Sequence, residues 1–296
     1  MNITIVGPGA IGCLWAHHLS THGHRVSLWG RENLSHKTIQ LDAQAPLRLP
    51  YNQLPALQEA DLLLVTVKAW QVEDALTPLL DNIDHDCIVM LMHNGMGTAD
   101  WLQDVLPNNP LVLATTTHGA LRISSSHFEH TGTGFTHFGG INTAGKQCAF
   151  LQDVFNHALP EALWCDNIEQ ALWNKLAINC AINPLTAKYS VRNGELAQKE
   201  YHPQLVCVVE EVHQVMEAEG IAIELNTLQS KVDDVVRLTA NNLSSMQQDI
   251  SHQRRSEIDY ITGYLLARAR AHQLELPYNQ ALYKDIQRLE KTFEQN

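Results

Sequence analysis

Short apolar runs punctuate the first half of the chain, at Ile3–Val6, Val26–Trp29, Leu62–Val67, Ile88–Met92, Leu111–Thr115 and Phe135–Phe138. Most are continuously apolar and rich in β-branched residues rather than alternating, as strands covered on both faces tend to be, and helix-like segments separate them. That succession predicts a parallel sheet wound with helices. From about Asn167 the period lengthens. Apolar positions recur at helical spacing over Ile168–Ile182, Pro203–Glu219, Thr227–Asn241, Ser256–His272 and Tyr278–Glu294. Gly220 is placed to end one of these helices, and Ser256-Glu257-Ile258-Asp259 to open another as a capping box. The expected organisation is an α/β domain over residues 1–166 followed by an all-helical C-terminal domain over 167–296.

The first strand runs directly into Gly7-Pro8-Gly9-Ala10-Ile11-Gly12, which opens a helix toward His22, with Gly23 behind it and the second strand at Val26. In such a strand–turn–helix the first glycine permits the tight turn and the second lets the backbone approach a pyrophosphate. The third lets the helix pack close to the strand, and the helix N-terminus supplies partial positive charge. A Rossmann-type dinucleotide-binding domain follows, with Gly7, Pro8, Gly9, Ala10, Ile11 and Gly12 as its cradle. An NAD site usually carries an acid at the end of the second strand, whereas an NADP site carries a basic group. Here Trp29 is followed by Gly30-Arg31, with Glu32 one position further. Residues 1–166 hold only seven Lys or Arg (Arg25, Arg31, Lys37, Arg48, Lys68, Arg122, Lys146), so a cation at this edge is informative. The expected cofactor is NADPH/NADP. Lys68 and the run His93-Asn94-Gly95-Met96-Gly97 follow two further strands, where ligands of open α/β sheets gather.

Composition narrows the partner. Lys plus Arg total 20 against 32 Asp plus Glu, a formal charge of −12 over 296 residues. That balance argues against nucleic acid and against an anionic membrane surface, and leaves a small-molecule substrate. The six Cys are scattered with no CxxC pair, as in a reduced, cytoplasmic protein, and neither a signal peptide nor a spanning segment is visible. The 16 His are taken as surface or core residues, and no metal site is expected.

Chemistry concentrates in Leu172-Trp173-Asn174-Lys175-Leu176-Ala177-Ile178-Asn179-Cys180-Ala181-Ile182-Asn183-Pro184. Lys175, Asn179 and Asn183 recur every four residues and share one side of the helix, drifting about 40° per step. Their neighbours are almost all apolar, and a buried Lys or Asn is costly unless it meets a partner or a ligand. One cation and two amides suit a small molecule bearing carbonyl, hydroxyl and carboxylate groups, with Lys175 as general acid. Pro184 is expected to end the helix near Asn183.

Several of these runs together are similar to those of the ketopantoate reductase (2-dehydropantoate 2-reductase) family. The motifs are the glycine loop, Leu64-Val65-Thr66-Val67-Lys68-Ala69-Trp70-Gln71, His93–Gly97, Trp173-Asn174-Lys175-Leu176 and Asn179…Asn183-Pro184-Leu185-Thr186. Asn193-Gly194-Glu195-Leu196, Ser244-Ser245-Met246-Gln247-Gln248-Asp249-Ile250 and Glu257-Ile258-Asp259-Tyr260 continue the match to about Pro277. The resemblance implies NADPH-dependent reduction of the C2 ketone of 2-dehydropantoate to (R)-pantoate, a step toward pantothenate and coenzyme A. It implies Lys175 as proton donor and Asn179, Asn183, Asn193 and Ser245 as substrate contacts. It further implies Glu257 near the cofactor and the lysine, and Gly7–Gly12, Arg31, Lys68, Asn94 and Ala120 along the NADPH site, in a monomer or homodimer. Glu32 beside Arg31 is the departure that bears on cofactor preference. Two alternatives stand beside it: a related NADP-dependent reductase of another 2-keto acid with the same two-domain plan, and a non-catalytic NADP(H) sensor, which would keep the Gly7–Gly12 loop but have no need for Lys175, Asn179 and Asn183 in register.

Overall fold

The computed structural model describes residues 1–293 and divides into two compact units, one made of Met1–His93 with Thr98–Ala171, the other of Asn94–Gly97 with residues 172 onward. The strands of the first unit are β1 (Asn2–Val6), β2 (Arg25–Trp29), β3 (His36–Leu41), β4 (Leu47–Pro50), β5 (Leu62–Val65), β6 (Ile88–Met92), β7 (Leu111–Thr116), β8 (Gly119–Arg122), β9 (His127–Gly132), β10 (Thr136–Gly140) and β11 (Ala162–Trp164). Its helices are α1 (Ala10–Thr21), α2 (Leu54–Gln58), α3 (Val72–Leu76), α4 (Ala99–Val105) and α5 (Leu151–Ala158).

Seven strands form one sheet in the order β11-β10-β7-β6-β5-β1-β2, parallel from β2 to β7, with β10 antiparallel to β7. Its central strands β5 and β6 are apolar throughout because both faces are covered. Leu62 and Leu64 of β5 join Leu14, Trp15 and Leu19 of α1 in one core, while Leu63 and Val65 join Val72 and Leu76 of α3 in another. The chain leaves β1 to one side for β2 and later returns to its other side as β5, so the order reverses at the carboxyl ends of β1 and β5.

A second sheet, β4-β3-β9-β8, was not expected from the sequence. Its strands are short and polar, and only alternate positions such as Lys37, Ile39 and Leu41 are buried, so no continuous apolar run marks them.

The second unit carries α6 (Ile168–Tyr189, which starts in the first unit), α7 (His202–Ala218), α8 (Leu225–Leu238), α9 (Ser245–Ser251), α10 (Thr262–Ala271) and α11 (Pro277–Lys291). The expected reach of the last helix to Glu294 lies outside the described residues. Two expectations are corrected. Pro184 does not end the helix, because α6 continues through it to Tyr189. The proline removes one backbone bond, but every residue from Cys180 to Ala187 is buried in the core of this unit, and that packing outweighs the lost bond. Thr186 helps by donating its hydroxyl back to the Ile182 and Asn183 carbonyls, at 2.9 and 3.1 Å. The helix expected from Ser256 starts instead at Thr262. The preceding residues form an irregular turn in which the Tyr260 carbonyl accepts the Met96 N–H at 2.8 Å.

Candidate active site

The glycine loop is built by backbone sterics. Gly7 has φ +86°, and a Cβ there would stand 2.4 Å from Val67 Cγ1. A Cβ on Gly12 would stand 2.5 Å from both the Gly7 carbonyl oxygen and Thr66 Oγ1, whereas one on Gly9 would meet nothing nearer than 3.9 Å. Gly7 and Gly12 are thus required by the protein itself, and Gly9 leaves open space on the approach side. The Gly7 N–H donates to the Trp29 carbonyl (2.9 Å), which sets Gly30-Arg31 beside the loop, and Thr66 Oγ1 donates to the Gly7 carbonyl (2.7 Å). Thr66 stands two residues before Lys68, whose own N–H donates to Gln71 Oε1 at 3.2 Å. The α1 N-terminus has no side-chain cap and no acid in its first turn. Its amides and dipole therefore suit an anion, and the cradle fits the pyrophosphate of a dinucleotide. Ala120 lies on β8, paired with His130 of β9.

In the second unit, Lys175, Asn179 and Asn183 lie on one continuous helix. Burial pushes the Lys175 ammonium down from 10.5 to about 8, and the Glu257 carboxylate opposes the shift. Glu257 is itself buried and accepts a hydrogen bond from Asn94 Nδ2 at 3.0 Å. Asn94, Glu257 and Lys175 are thereby linked, although they are far apart in sequence. The side-chain amide of Asn183 makes no hydrogen bond to any described residue, although the residue is only 7% exposed. A polar group so placed calls for a partner from outside the chain.

One turn beyond Asn183, Thr186 Oγ1 and Ser244 Oγ share a hydrogen bond at 2.7 Å, and Ser244 caps α9 by accepting the Gln247 N–H at 3.0 Å. Ser245, the next residue and the first of α9, is exposed. Asn193 is held differently. Its Nδ2 donates to Thr239 Oγ1 (2.9 Å) and its N–H to the Asn242 carbonyl (3.0 Å), while its buried Oδ1 has no partner among the described residues.

Sequence reasoning missed Thr66, which clamps the loop, and Tyr51 and Asn52, which strap the turn after β2. The Asn52 amide brackets Gly30 from both sides, at 2.9 and 3.0 Å, across a separation that no local motif encodes. Among the described residues, the sole trio of His and carboxylates close enough to share a cation is Asp84, His85 and Asp86, all exposed. No described helix is long and apolar enough to cross a membrane.

Residues 3–143 match the family described as Ketopantoate reductase PanE/ApbA, and residues 167–290 match its C-terminal counterpart, Ketopantoate reductase PanE/ApbA C terminal. The 2-dehydropantoate 2-reductase of Vibrio cholerae is 48% identical over 293 residues, 99% of each chain. Among solved structures, a PanE/ApbA family ketopantoate reductase from Ralstonia eutropha JMP134 superposes with a TM-score of 0.89 at 25% identity, covering 99% of this chain and 100% of that one. A D-mandelate dehydrogenase with NADH and anilino(oxo)acetate gives a TM-score of 0.91 at 22% identity over 99% of both chains, a likeness of fold alone. The chain carries a Rossmann-type first unit and a helical second unit, and it belongs to the ketopantoate reductase family, whose members use a nicotinamide cofactor.

Proposed function

We propose that the protein reduces the C2 ketone of 2-dehydropantoate to (R)-pantoate with NADPH, in the route to pantothenate and coenzyme A. The observation that carries this reading is the α6 row: a lysine lowered to about 8 beside a buried carboxylate, followed on the same face by an almost buried amide with no protein partner. Gly7, Pro8, Gly9, Ala10, Ile11 and Gly12 hold the pyrophosphate. Arg31 faces the ribose 2′-phosphate, and Lys68, Asn94 and Ala120 complete the cofactor contacts. The bound nicotinamide supplies hydride to the ketone carbon. As negative charge grows on the carbonyl oxygen, the Lys175 ammonium stabilises it and gives up a proton to it. An ammonium near 8 is charged at neutral pH yet a better acid than an ordinary lysine. Glu257, oriented by Asn94, keeps it protonated. Asn179, Asn183, Asn193 and Ser245 bind the hydroxyl and carboxylate of the substrate and fix which carbonyl face is presented.

The test is NADPH oxidation by the purified protein with 2-dehydropantoate, run beside NADH and a panel of other 2-keto acids. NADPH-selective turnover of 2-dehydropantoate supports the proposal. Preference for another 2-keto acid reassigns the substrate, and NADPH binding with no turnover favours a sensor.

A further inference from the structure

A carboxylate beside Arg31 would repel a ribose 2′-phosphate, and Glu32 stands there. The fold answers that charge from a second strand. Lys37, on β3, places Nζ 2.6 Å from Glu32 Oε2, with the lysine side chain 6% exposed and the glutamate 44%. The lysine Nζ lies over the Tyr51 ring, 5.7 Å from its centroid, so the ammonium meets an aromatic face as well as the carboxylate. The backbone on both sides of Arg31 is strapped too. The Asn52 carbonyl accepts the Gly30 N–H (2.9 Å), and its amide donates to the Gly30 and Glu32 carbonyls (3.0 and 2.8 Å). The Glu32 N–H donates to the Tyr51 hydroxyl at 3.4 Å. Arg31 itself, between two held residues, is exposed and makes no hydrogen bond or ion pair with any described residue.

We infer that Lys37 is a specificity-determining positioning residue that engages the Glu32 carboxylate, so that the edge carrying Arg31 presents net positive charge to a 2′-phosphate. With Lys37 absent, Glu32 would cancel Arg31 and offer its carboxylate to a free ribose 2′-hydroxyl, the arrangement of an NAD site. The pair thus decides between two cofactors without either residue having to touch the reacting atoms. This rests on the NADP(H) reading of the loop.

The test is a double-mutant cycle read by binding, not turnover. Dissociation constants for NADPH, NADH and 2′,5′-ADP are measured by fluorescence or calorimetric titration on the wild type, Lys37→Met, Glu32→Gln and the double variant. Met keeps an unbranched apolar chain of similar length in this buried position. Lys37→Met is expected to weaken NADPH and 2′,5′-ADP roughly tenfold, the scale of one unbalanced charge near a surface, and to leave NADH unchanged or tighter. The double variant is expected to return NADPH to within about twofold of the wild type, a rescue that a merely structural role for Lys37 would not give. An unchanged NADPH-to-NADH ratio in Lys37→Met, or no rescue in the double variant, overturns the inference while leaving the NADP(H) reading standing. Wild-type protein that binds NADH as well as NADPH and ignores 2′,5′-ADP overturns both. Should Lys37→Met fail to fold, Glu32→Gln alone decides: NADPH bound several-fold more tightly with NADH unchanged supports the pair, and NADPH affinity unchanged or weakened overturns it.

Discussion

The glycine loop and the α6 row do comparable work by different means. In the first unit the site is backbone: Gly7 and Gly12 are required because any Cβ would collide with Val67, Thr66 or the Gly7 carbonyl. In the second the candidate site is side chains on a helix whose opposite face is core, and the side-chain amide of Asn183 makes no hydrogen bond to a described residue. A backbone site is hard to alter without disturbing the chain around it. A side-chain site can lose its chemistry while the fold stands. Variants should separate the two.

The largest effect belongs to Lys175. Lys175→Ala is expected to lower kcat by about a hundredfold to ten-thousandfold, the range of a lost general acid, with the NADPH dissociation constant within about twofold of wild type. Steady-state kinetics and a binding titration on the same preparation check this. Turnover within tenfold of wild type would remove the lysine from the chemistry. Gly7→Ala should do the reverse: NADPH binding weakens by tenfold or more and the fold loses about 2 kcal/mol, as overpacking beside a left-handed turn requires. Denaturant unfolding beside the cofactor titration reads both. If binding alone falls and stability holds, the loop is more pliant than its contacts indicate. Asn183→Ala should raise the substrate KM by about tenfold through one lost hydrogen bond, with kcat changed less. A change confined to cofactor affinity would place that helix face elsewhere.

The smallest effect is one of stability. Folding lowers the Lys175 pKa from 10.5 to about 8, so the unfolded chain binds more protons between those values. The lysine's unfavourable contribution is therefore fully present below about pH 8 and fades as pH rises toward 10.5. Lys175→Met should melt a few degrees higher than wild type at neutral pH, with the gap closing in alkaline buffer. A gap that widens with pH would contradict the burial argument.

How far each feature could be read from sequence follows from how local its cause is. The loop was legible because a strand, three glycines and a helix are consecutive. The α6 row was legible because a four-residue repeat puts Lys175, Asn179 and Asn183 on one side. The continuation through Pro184 was not, because the packing that overrides the proline comes from other helices. The β3–β9 pairing joins Gln40 and Leu41 to His127 and Phe128, and nothing in either run announces the other. The same holds for Asn94 on Glu257 and for Lys37 on Glu32. The candidate residues were visible singly, while the contacts around them come from strands and turns brought together by the fold.

The central claim is that a lysine made acidic by burial in the second unit supplies the proton. Its most direct test is kcat/KM for ketone reduction against pH, which reports the ionisation of the free enzyme. The account predicts a plateau at neutral pH and a fall as pH passes about 8, where the Lys175 ammonium loses its proton. A rate that stays level or rises through that range would contradict it.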